Sequence, residues 1–276
     1  MSFKKIIKNI LPDKIVHYLI YVRDLPKKIQ INYSKIIIKF LITNIYDRNK
    51  KKIFTMRNFG GSTISRGFHL FKTDKEVAEW IEGFDANSVL VDIGANVGLF
   101  SLFAATKKHK VLALEPESLN FACLNLNIKD NDFDENITAF PISVNDEQKI
   151  SYLNMSIEPK FGGSGSTFDR CTREVGDEFQ PIYKQGSISL KLDDIIKSLN
   201  LTVNYIKIDV DGNELKVVKG MTEILKNKTL KSICIEINPD FSEHREVIEI
   251  LKKDFKNYKK FSWDKNQEVF NYIFER

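Results

Sequence analysis

The chain has 276 residues, 42% of them apolar and 29% charged, a net charge of +5 at pH 7 and three cysteines, which is material for one sizeable hydrophobic core. Cys123, Cys171 and Cys234 are odd in number and far apart, a pattern that excludes a disulfide framework or C-x-x-C zinc site and suits a reducing cytoplasm. The charge is asymmetric: residues 1–52 hold 13 Lys or Arg against 3 Asp, leaving 29 basic against 34 acidic residues for the remainder.

Residues 1–55 are therefore expected to form a basic amphipathic helical extension, in which Pro12 and Pro26 break Ile, Leu and Tyr clusters into short helices. The runs "IVHYLIYV" and "IIIKFLI" are too short for a bilayer, which needs about 20 apolar residues. Two roles are open to the extension. It can dock on the main domain or pack a homodimer, or residues 1–52 can lie on the anionic inner face of a membrane. No aromatic stacking platform or recognition-helix pattern accompanies the lysines, so no nucleic-acid partner is expected.

Residues 56–276 read as one domain. "DKEVAEWIEGF" opens with Asp74 as an N-cap and places Val77, Trp80 and Ile81 on one helix face. "SVLVDIG", "KVLALEP", "NITAFPISV", "NYIKIDV" and "SICIEIN" follow as short strands, most of them succeeded by a helical stretch. That alternation implies an α/β fold, a mostly parallel sheet with helices on both faces. "NYKKFSW" and "EVFNYIF" then read as a closing antiparallel hairpin, and "FGGSGS" at 161–166 as a flexible loop.

In open α/β sheets ligands bind beyond the carboxyl ends of the strands, which directs attention to the turn after "VLVDIG". A dinucleotide turn wants G-x-G-x-x-G; here the pattern is D-x-G-A-N-x-G, with Asp92, Gly94, Asn96 and Gly98. The glycines let the backbone approach a ligand, and a carboxylate in this place disfavours polyphosphate and favours a cation. S-adenosyl-L-methionine carries such charge, and Asp92 or the turn's carbonyls can receive its amino-acid end. Glu115, at the end of the next strand, is placed to accept hydrogen bonds from ribose hydroxyls, a spacing shared with NAD enzymes. The one Tyr-x-x-x-Lys pair, Tyr46 and Lys50, precedes the glycine turn, which counts against an NAD-linked sugar oxidoreductase.

The second constellation is "NYIKIDVDGNELKVVKG", where Lys207, Asp209 and Asp211 share one strand face. Charge on a central strand must be compensated, because burying an unpaired ion costs several kcal/mol. "SICIEIN" puts Glu236 on a face with Cys234 and Asn238, so neighbouring strands are expected to bring Asp209 and Glu236 together. Asp211 is also suited to N-cap a helix starting at Gly212, with Glu214 completing a capping box.

"VDIGANVGLFS", "LALEPES", "ISLKLDDIIK", "YIKIDVDGNELKVVKG" and "ICIEIN", in this order, resemble the FkbM family of S-adenosylmethionine-dependent methyltransferases over roughly residues 85–240. The resemblance implies the Rossmann-like class I methyltransferase fold, with a seven-stranded sheet whose last strand is antiparallel, and O-methylation of sugar or polyketide hydroxyls. It places the cofactor on Asp92, Gly94, Asn96, Gly98 and Glu115, with Ser143 and Asp146 toward the adenine. The family's D-V-E-G is D-V-D-G here, which shortens the acid at Asp211 by a methylene.

For methyl transfer to a hydroxyl, the expected base is Asp209, with Glu236 as its partner and His244 as a second candidate. Lys207, Asp211, Glu214 and Asn238 are expected to hold the acceptor, a glycan or nucleotide sugar. No metal is assigned, although Asp209, Asp211 and Glu236 are the residues that would hold a divalent ion. A catalytically silent module that keeps the fold for binding is the competing reading.

Overall fold

A computed structural model describes residues 42–173, 175–262 and 267–276. The expected helical extension falls largely in residues 1–41, outside the described residues. The described chain opens with a hairpin of β1 (Ile42–Tyr46) and β2 (Lys52–Arg57). This hairpin crosses the boundary expected at residue 55 and is fastened to the domain. Ile45, Phe54 and Met56 are buried in its core, and the backbone N–H groups of Thr55 and Arg57 donate to the side-chain oxygens of Asn131 and Asn127. Among the described residues no helix is long and apolar enough to cross a membrane.

The helices are α1 (Gly61–His69), α2 (Lys75–Glu82), α3 (Leu99–Thr106), α4 (Ser118–Asp130), α5 (Leu192–Leu199), α6 (Glu214–Lys219), α7 (Thr222–Lys226) and α8 (Ser242–Leu251). The main sheet uses β3 (Val89–Ile93), β4 (Lys110–Leu114), β5 (Ile137–Phe140), β10 (Tyr205–Ile208), β11 (Ser232–Ile237), β12 (Asn257–Phe261) and β13 (Phe270–Glu275). Their order is β12-β13-β11-β10-β3-β4-β5. Strands β11, β10, β3, β4 and β5 run parallel, and β13 is antiparallel to both β11 and β12.

Side chains alternate across this sheet into two cores. Val91, Ile93, Leu112, Leu114, Ile206, Ile208, Ile233 and Ile235 pack with α5, α6, α7 and α8. Leu90, Val111, Ala113, Tyr205 and Cys234 pack with α2, α3, α4 and the β1–β2 hairpin. Burial on both faces explains why these strands read as continuous apolar runs. It also explains why the exceptions, Asp92 and Lys207, point to a site.

A second sheet, unanticipated in the sequence, has the order β6-β9-β7-β8 and consists of β6 (Ser143–Val144), β7 (Lys149–Met155), β8 (Ser166–Phe168) and β9 (Tyr183–Leu190). "NITAFPISV" is thus not one strand. It divides at Pro141, which has no N–H to donate, and sends Ile137–Phe140 to the main sheet and Ser143–Val144 to the smaller one.

Candidate functional site

The turn after β3 ends in two left-handed glycines and a left-handed asparagine: φ is +77° at Gly94, +53° at Asn96 and +90° at Gly98. Backbone packing demands a glycine at position 94. A Cβ on Gly94 would stand 1.7 Å from the carbonyl oxygen of Asp209, and one on Gly98 would stand 2.5 Å from Leu124 Cδ1. The turn therefore lies directly against the end of β10, and the two halves of the site are mechanically joined.

A cleft lies over the carboxyl ends of β3, β4 and β10, walled by Gly94, Asn96, Glu115, Ser143, Asp209, Asp211 and Glu236 among others. Glu115 is 5% exposed. Its Oε2 accepts from the Asn96 N–H at 2.7 Å and its Oε1 from the Glu117 N–H at 2.8 Å. Burial pushes its carboxyl up to about 8 against these two donors. In the ionised form each oxygen keeps a lone pair for a further donor.

Asn96 has a second task. Its Nδ2 donates to the Gly163 carbonyl at 2.7 Å, which also accepts from Asn120 Nδ2 at 3.0 Å. The Gly162 N–H donates to Asn120 Oδ1 at 2.8 Å. Opposite, Asp211 at φ +54° accepts from the Gly165 N–H at 2.7 Å and the Ser166 N–H at 3.3 Å. The "FGGSGS" segment, expected to be a flexible loop, is instead a pinned wall of the cleft. Its signal in the sequence is three of the chain's 13 glycines within six residues.

Asp211 consequently does not cap a helix. Helix α6 starts at Glu214, and Asn213 stands at its N-cap without a side-chain cap bond. Glu214 keeps the reach-back half of the expected capping box, with Oε1 accepting from the N–H groups of Val210 at 3.2 Å and Gly212 at 3.3 Å.

The charged centre stands between this cleft and a second cavity. Lys207 Nζ lies 2.8 Å from Asp209 Oδ2 and 5.1 Å from the centre of the Phe100 ring. Burial opposes the lysine's charge, but Asp209, Asp92 and Glu236 outweigh it and hold the ammonium protonated. Asp209 is held below the ordinary carboxylate range, its burial overcome by Lys207 and by a hydrogen bond with Glu236. Burial and the charge of Asp209 push Glu236 well above that range. The two acids are thus pushed in opposite directions, Asp209 toward its charged form by Lys207 and Glu236 toward its neutral form by burial and by Asp209.

The second cavity is lined by Arg66, Asp74, Phe100, Lys207, Asp209 and Glu236, with residues 267–269 and Asn271. It shares Arg66, Asp209 and Glu236 with the first. Arg66 and Asp74 were missed as site residues. Arg66 lies in a stretch with no motif, and Asp74, at the N-cap position of α2 as expected, makes no cap bond with its side chain.

Other expected site residues are placed elsewhere. His244 is 1% exposed, with Nδ1 accepting from the Asn238 N–H at 2.8 Å and Nε2 within 2.9 Å of Glu214 Oε2. Both ring nitrogens are engaged, so His244 braces the turn carrying Asp209 and is not placed to take a substrate's proton. Glu214 is its buried partner, and Asn238 Oδ1 accepts from the Asp240 N–H at 2.9 Å; neither lines either cavity. Ser143 lines the cleft with its Oγ 3.2 Å from Ser187 Oγ, whereas Asp146 and Gly98 do not reach it. Asp92 is 1% exposed, with Oδ2 accepting from Ser101 Oγ at 2.6 Å. Among the described residues no group of three His, Cys, Asp or Glu side chains is arranged to hold a metal ion.

The donor set fits an S-adenosyl group on two observations. Glu115 presents unused acceptor capacity to the cleft, as a ribose diol requires. Asp92 Oδ1 is a buried acceptor without a partner, and Asp92 borders a small cavity with Gly94 and Asn96, as a cationic amino-acid end requires.

A parallel sheet closed by a reversed strand, with a glycine-bounded turn and an acid at the tip of the next strand, is the arrangement of a nucleotide-binding α/β domain. The family profile described as "Methyltransferase FkbM domain" matches residues 92–260, and the chain belongs to that family. It is 25% identical over 167 residues to "Methyltransferase sdnD" of Sordaria araneosa, covering 52% of this chain and 64% of the relative. It is 26% identical over 162 residues to "Hexuronic acid methyltransferase AglP" of Haloferax volcanii, covering 57% of this chain and 59% of the relative. The matches thus span less than two thirds of the length of either relative. Among solved structures it is similar to the N-terminal domain of human METTL16 in complex with SAH, at 13% identity and TM-score 0.45, covering 92% of this chain and 96% of that one.

Proposed function

We propose that the protein transfers the methyl group of S-adenosylmethionine to a hydroxyl of a carbohydrate in the cytoplasm, as a step in bacterial surface-glycan biosynthesis. The observation that carries this reading is the position of Asp209 and Glu236 on the walls of both cavities. A donor in the first cavity and an acceptor in the second would meet at that pair. The relative named as a hexuronic acid methyltransferase supports a carbohydrate acceptor.

When bound, the donor supplies an electrophilic methyl on a sulfonium. Glu115 would hold its ribose, and Asp92 its ammonium. The chain's own contribution is alignment and proton management. Holding the acceptor oxygen in line with the methyl removes most of the entropic barrier. The oxygen becomes strongly acidic as its new bond to carbon forms, so Asp209 can take the proton even though its own acidity is enhanced. Lys207 fixes the Asp209 carboxylate in place, while the charge of Asp209 disfavours a second negative charge on Glu236.

The test is mass spectrometry of cell-surface glycans and nucleotide-sugar pools from cells carrying the wild type or Asp209→Asn. The reading expects a loss of 14 mass units, one methyl exchanged for hydrogen (about 14 by elementary mass), from one carbohydrate species in the variant. Identical spectra reject it. Residues 1–52, with their excess of basic side chains, are proposed to draw the protein to anionic membrane surfaces. Equal partitioning of full-length and truncated chains onto such vesicles at low salt rejects that part alone.

A further inference from the structure

Helix α1 carries a cation that stands apart from the Lys207–Asp209 pair. Arg66 lines the cofactor cleft, the second cavity and the small cavity bordered by Asp92, Gly94 and Asn96. Its Nε lies 3.5 Å from the Gly162 carbonyl, and its charge reaches Asp209 through space. Among the described residues no carboxylate forms an ion pair with its guanidinium, which leaves the two terminal nitrogens to a ligand. The start of α1 is fixed against the wall of the cleft. The Phe59 and Phe161 rings are 4.5 Å apart, and a Cβ on Gly162 would stand 3.1 Å from the Thr63 nitrogen. The buried Thr63 hydroxyl accepts from the Phe59 N–H at 2.8 Å and donates to the Gly60 carbonyl at 2.9 Å.

The amino-acid end of S-adenosylmethionine carries an ammonium and a carboxylate on one carbon. The unpartnered, buried Oδ1 of Asp92 suits the ammonium. The carboxylate, drawn into the same small cavity, loses hydration too and needs a cation with hydrogen-bond donors beside it. Two cations border that cavity, Lys207 and Arg66. Lys207 is committed, with a side chain 4% exposed and Nζ 2.8 Å from Asp209 Oδ2. Arg66 is half-buried, and a guanidinium offers two parallel N–H donors that match the two oxygens of a carboxylate.

From this juxtaposition we infer that Arg66 receives the α-carboxylate of the methyl donor, so that Asp92 and Arg66 together hold its zwitterionic end in one small cavity. The inference rests on the methyltransferase reading and deepens it. Arg66 lies outside residues 92–260, which the family profile matches, so membership of the family does not itself supply this contact. Helix α1, which precedes the main sheet in the chain, thereby delivers one arm of the cofactor site. Holding the donor at both its ribose and its carboxylate limits the directions in which the sulfonium can present its methyl.

The experiment is calorimetric titration of the full-length protein, Arg66→Met and Arg66→Lys with two ligands. One is S-adenosylhomocysteine; the other is its decarboxylated analogue, which keeps the amine, the sulfur and the adenosine. The wild type is expected to prefer S-adenosylhomocysteine by at least about tenfold, an advantage of about 1.4 kcal/mol. Arg66→Met is expected to weaken S-adenosylhomocysteine by at least about tenfold and to leave the analogue within about threefold of wild type, so that the preference collapses. Arg66→Lys, which keeps the charge without the planar fork, is expected to fall between the two. A wild type without the preference, or equal losses of both ligands in both variants, would overturn the inference. So would wild-type affinity for S-adenosylhomocysteine in Arg66→Met, even with slower methylation of an acidic acceptor, because the arginine would then serve the acceptor. Failure of the wild type to bind S-adenosylhomocysteine would instead remove the methyltransferase reading beneath it.

Discussion

A Cβ on Gly94 would stand 1.7 Å from the carbonyl oxygen of Asp209, so the glycine turn and the residue proposed to take the proton are held in direct contact. Any side chain at position 94 must push the end of β10 away from β3. Gly94→Ala is therefore expected to lower Tm by many degrees and to weaken S-adenosylhomocysteine binding by at least about a hundredfold, since both the left-handed conformation and the backbone contact are lost. Thermal unfolding together with calorimetry measures both, and a variant with wild-type values in each would refute the contact's importance.

Asn96 combines a left-handed backbone with a side-chain tie to the Gly163 carbonyl. Asn96→Gly keeps the first and removes the second, whereas Asn96→Ala removes both. The expected order of stability is wild type, then Asn96→Gly, then Asn96→Ala, with steps of about 1 kcal/mol each. Urea unfolding orders the three; a glycine variant less stable than the alanine variant contradicts the assignment.

Glu115 gives a pH signature. Burial raises its folded-state pKa from 4.5 to about 8, so between these values the folded protein binds more protons at this site than the unfolded chain. Its contribution to stability is fully present below about pH 4.5 and is lost as pH rises through about 8. Glu115→Gln should therefore flatten the decline of Tm between pH 5 and 8. Parallel curves for wild type and variant would show that the carboxyl is not the group responsible.

Asp209 and His244 are distinguished by kinetics. Asp209→Asn is expected to lower kcat about 10²- to 10⁴-fold, with S-adenosylhomocysteine affinity within about threefold. His244→Gln, by disturbing the buried contact with Glu214 at 2.9 Å, is expected to lower Tm while kcat falls less than for Asp209→Asn and the pH profile of kcat keeps its shape. A profile that loses a limb in His244→Gln would return the histidine to the role of base.

Lys207 tests the charge compensation. With a side chain 4% exposed and facing Asp209, Asp92 and Glu236, it is needed to keep those carboxyl groups tolerable in the interior. Lys207→Met is expected to destabilise the fold by about 3–5 kcal/mol, more at pH 8 than at pH 5, because protonation can replace the missing ammonium. Chemical denaturation at the two pH values checks the sign, and equal losses would argue against it.

The parts of the fold that were legible in the sequence are those in which local pattern and tertiary environment agree. The runs around Asp92, Leu112, Lys207 and Cys234 are buried on both faces, so their apolar continuity announced parallel strands, and charge within two of them announced a site. The residues of the glycine turn and Glu115 were readable because their spacing along one strand-turn-helix unit fixes their place in space. The smaller sheet was not readable. Its strands pair Ile150 with Ile188 on a face where both are exposed, so polar and apolar residues carry no inside-outside contrast. Arg66 reaches the site through packing of α1, about which spacing says nothing. His244 misled for the opposite reason, since a histidine just past a strand end looks catalytic until its buried partners, Glu214 and the Asn238 N–H, are known.

Whether Glu115 holds the ribose of a bound S-adenosyl group is decided by calorimetric titration of S-adenosylhomocysteine into the full-length protein and into Glu115→Ala. The expected result is one site per chain with micromolar affinity in the wild type (on the order of −8 kcal/mol) and a loss of about thirtyfold or more in the variant. No heat with the wild type, or the same dissociation constant in both proteins, would contradict it.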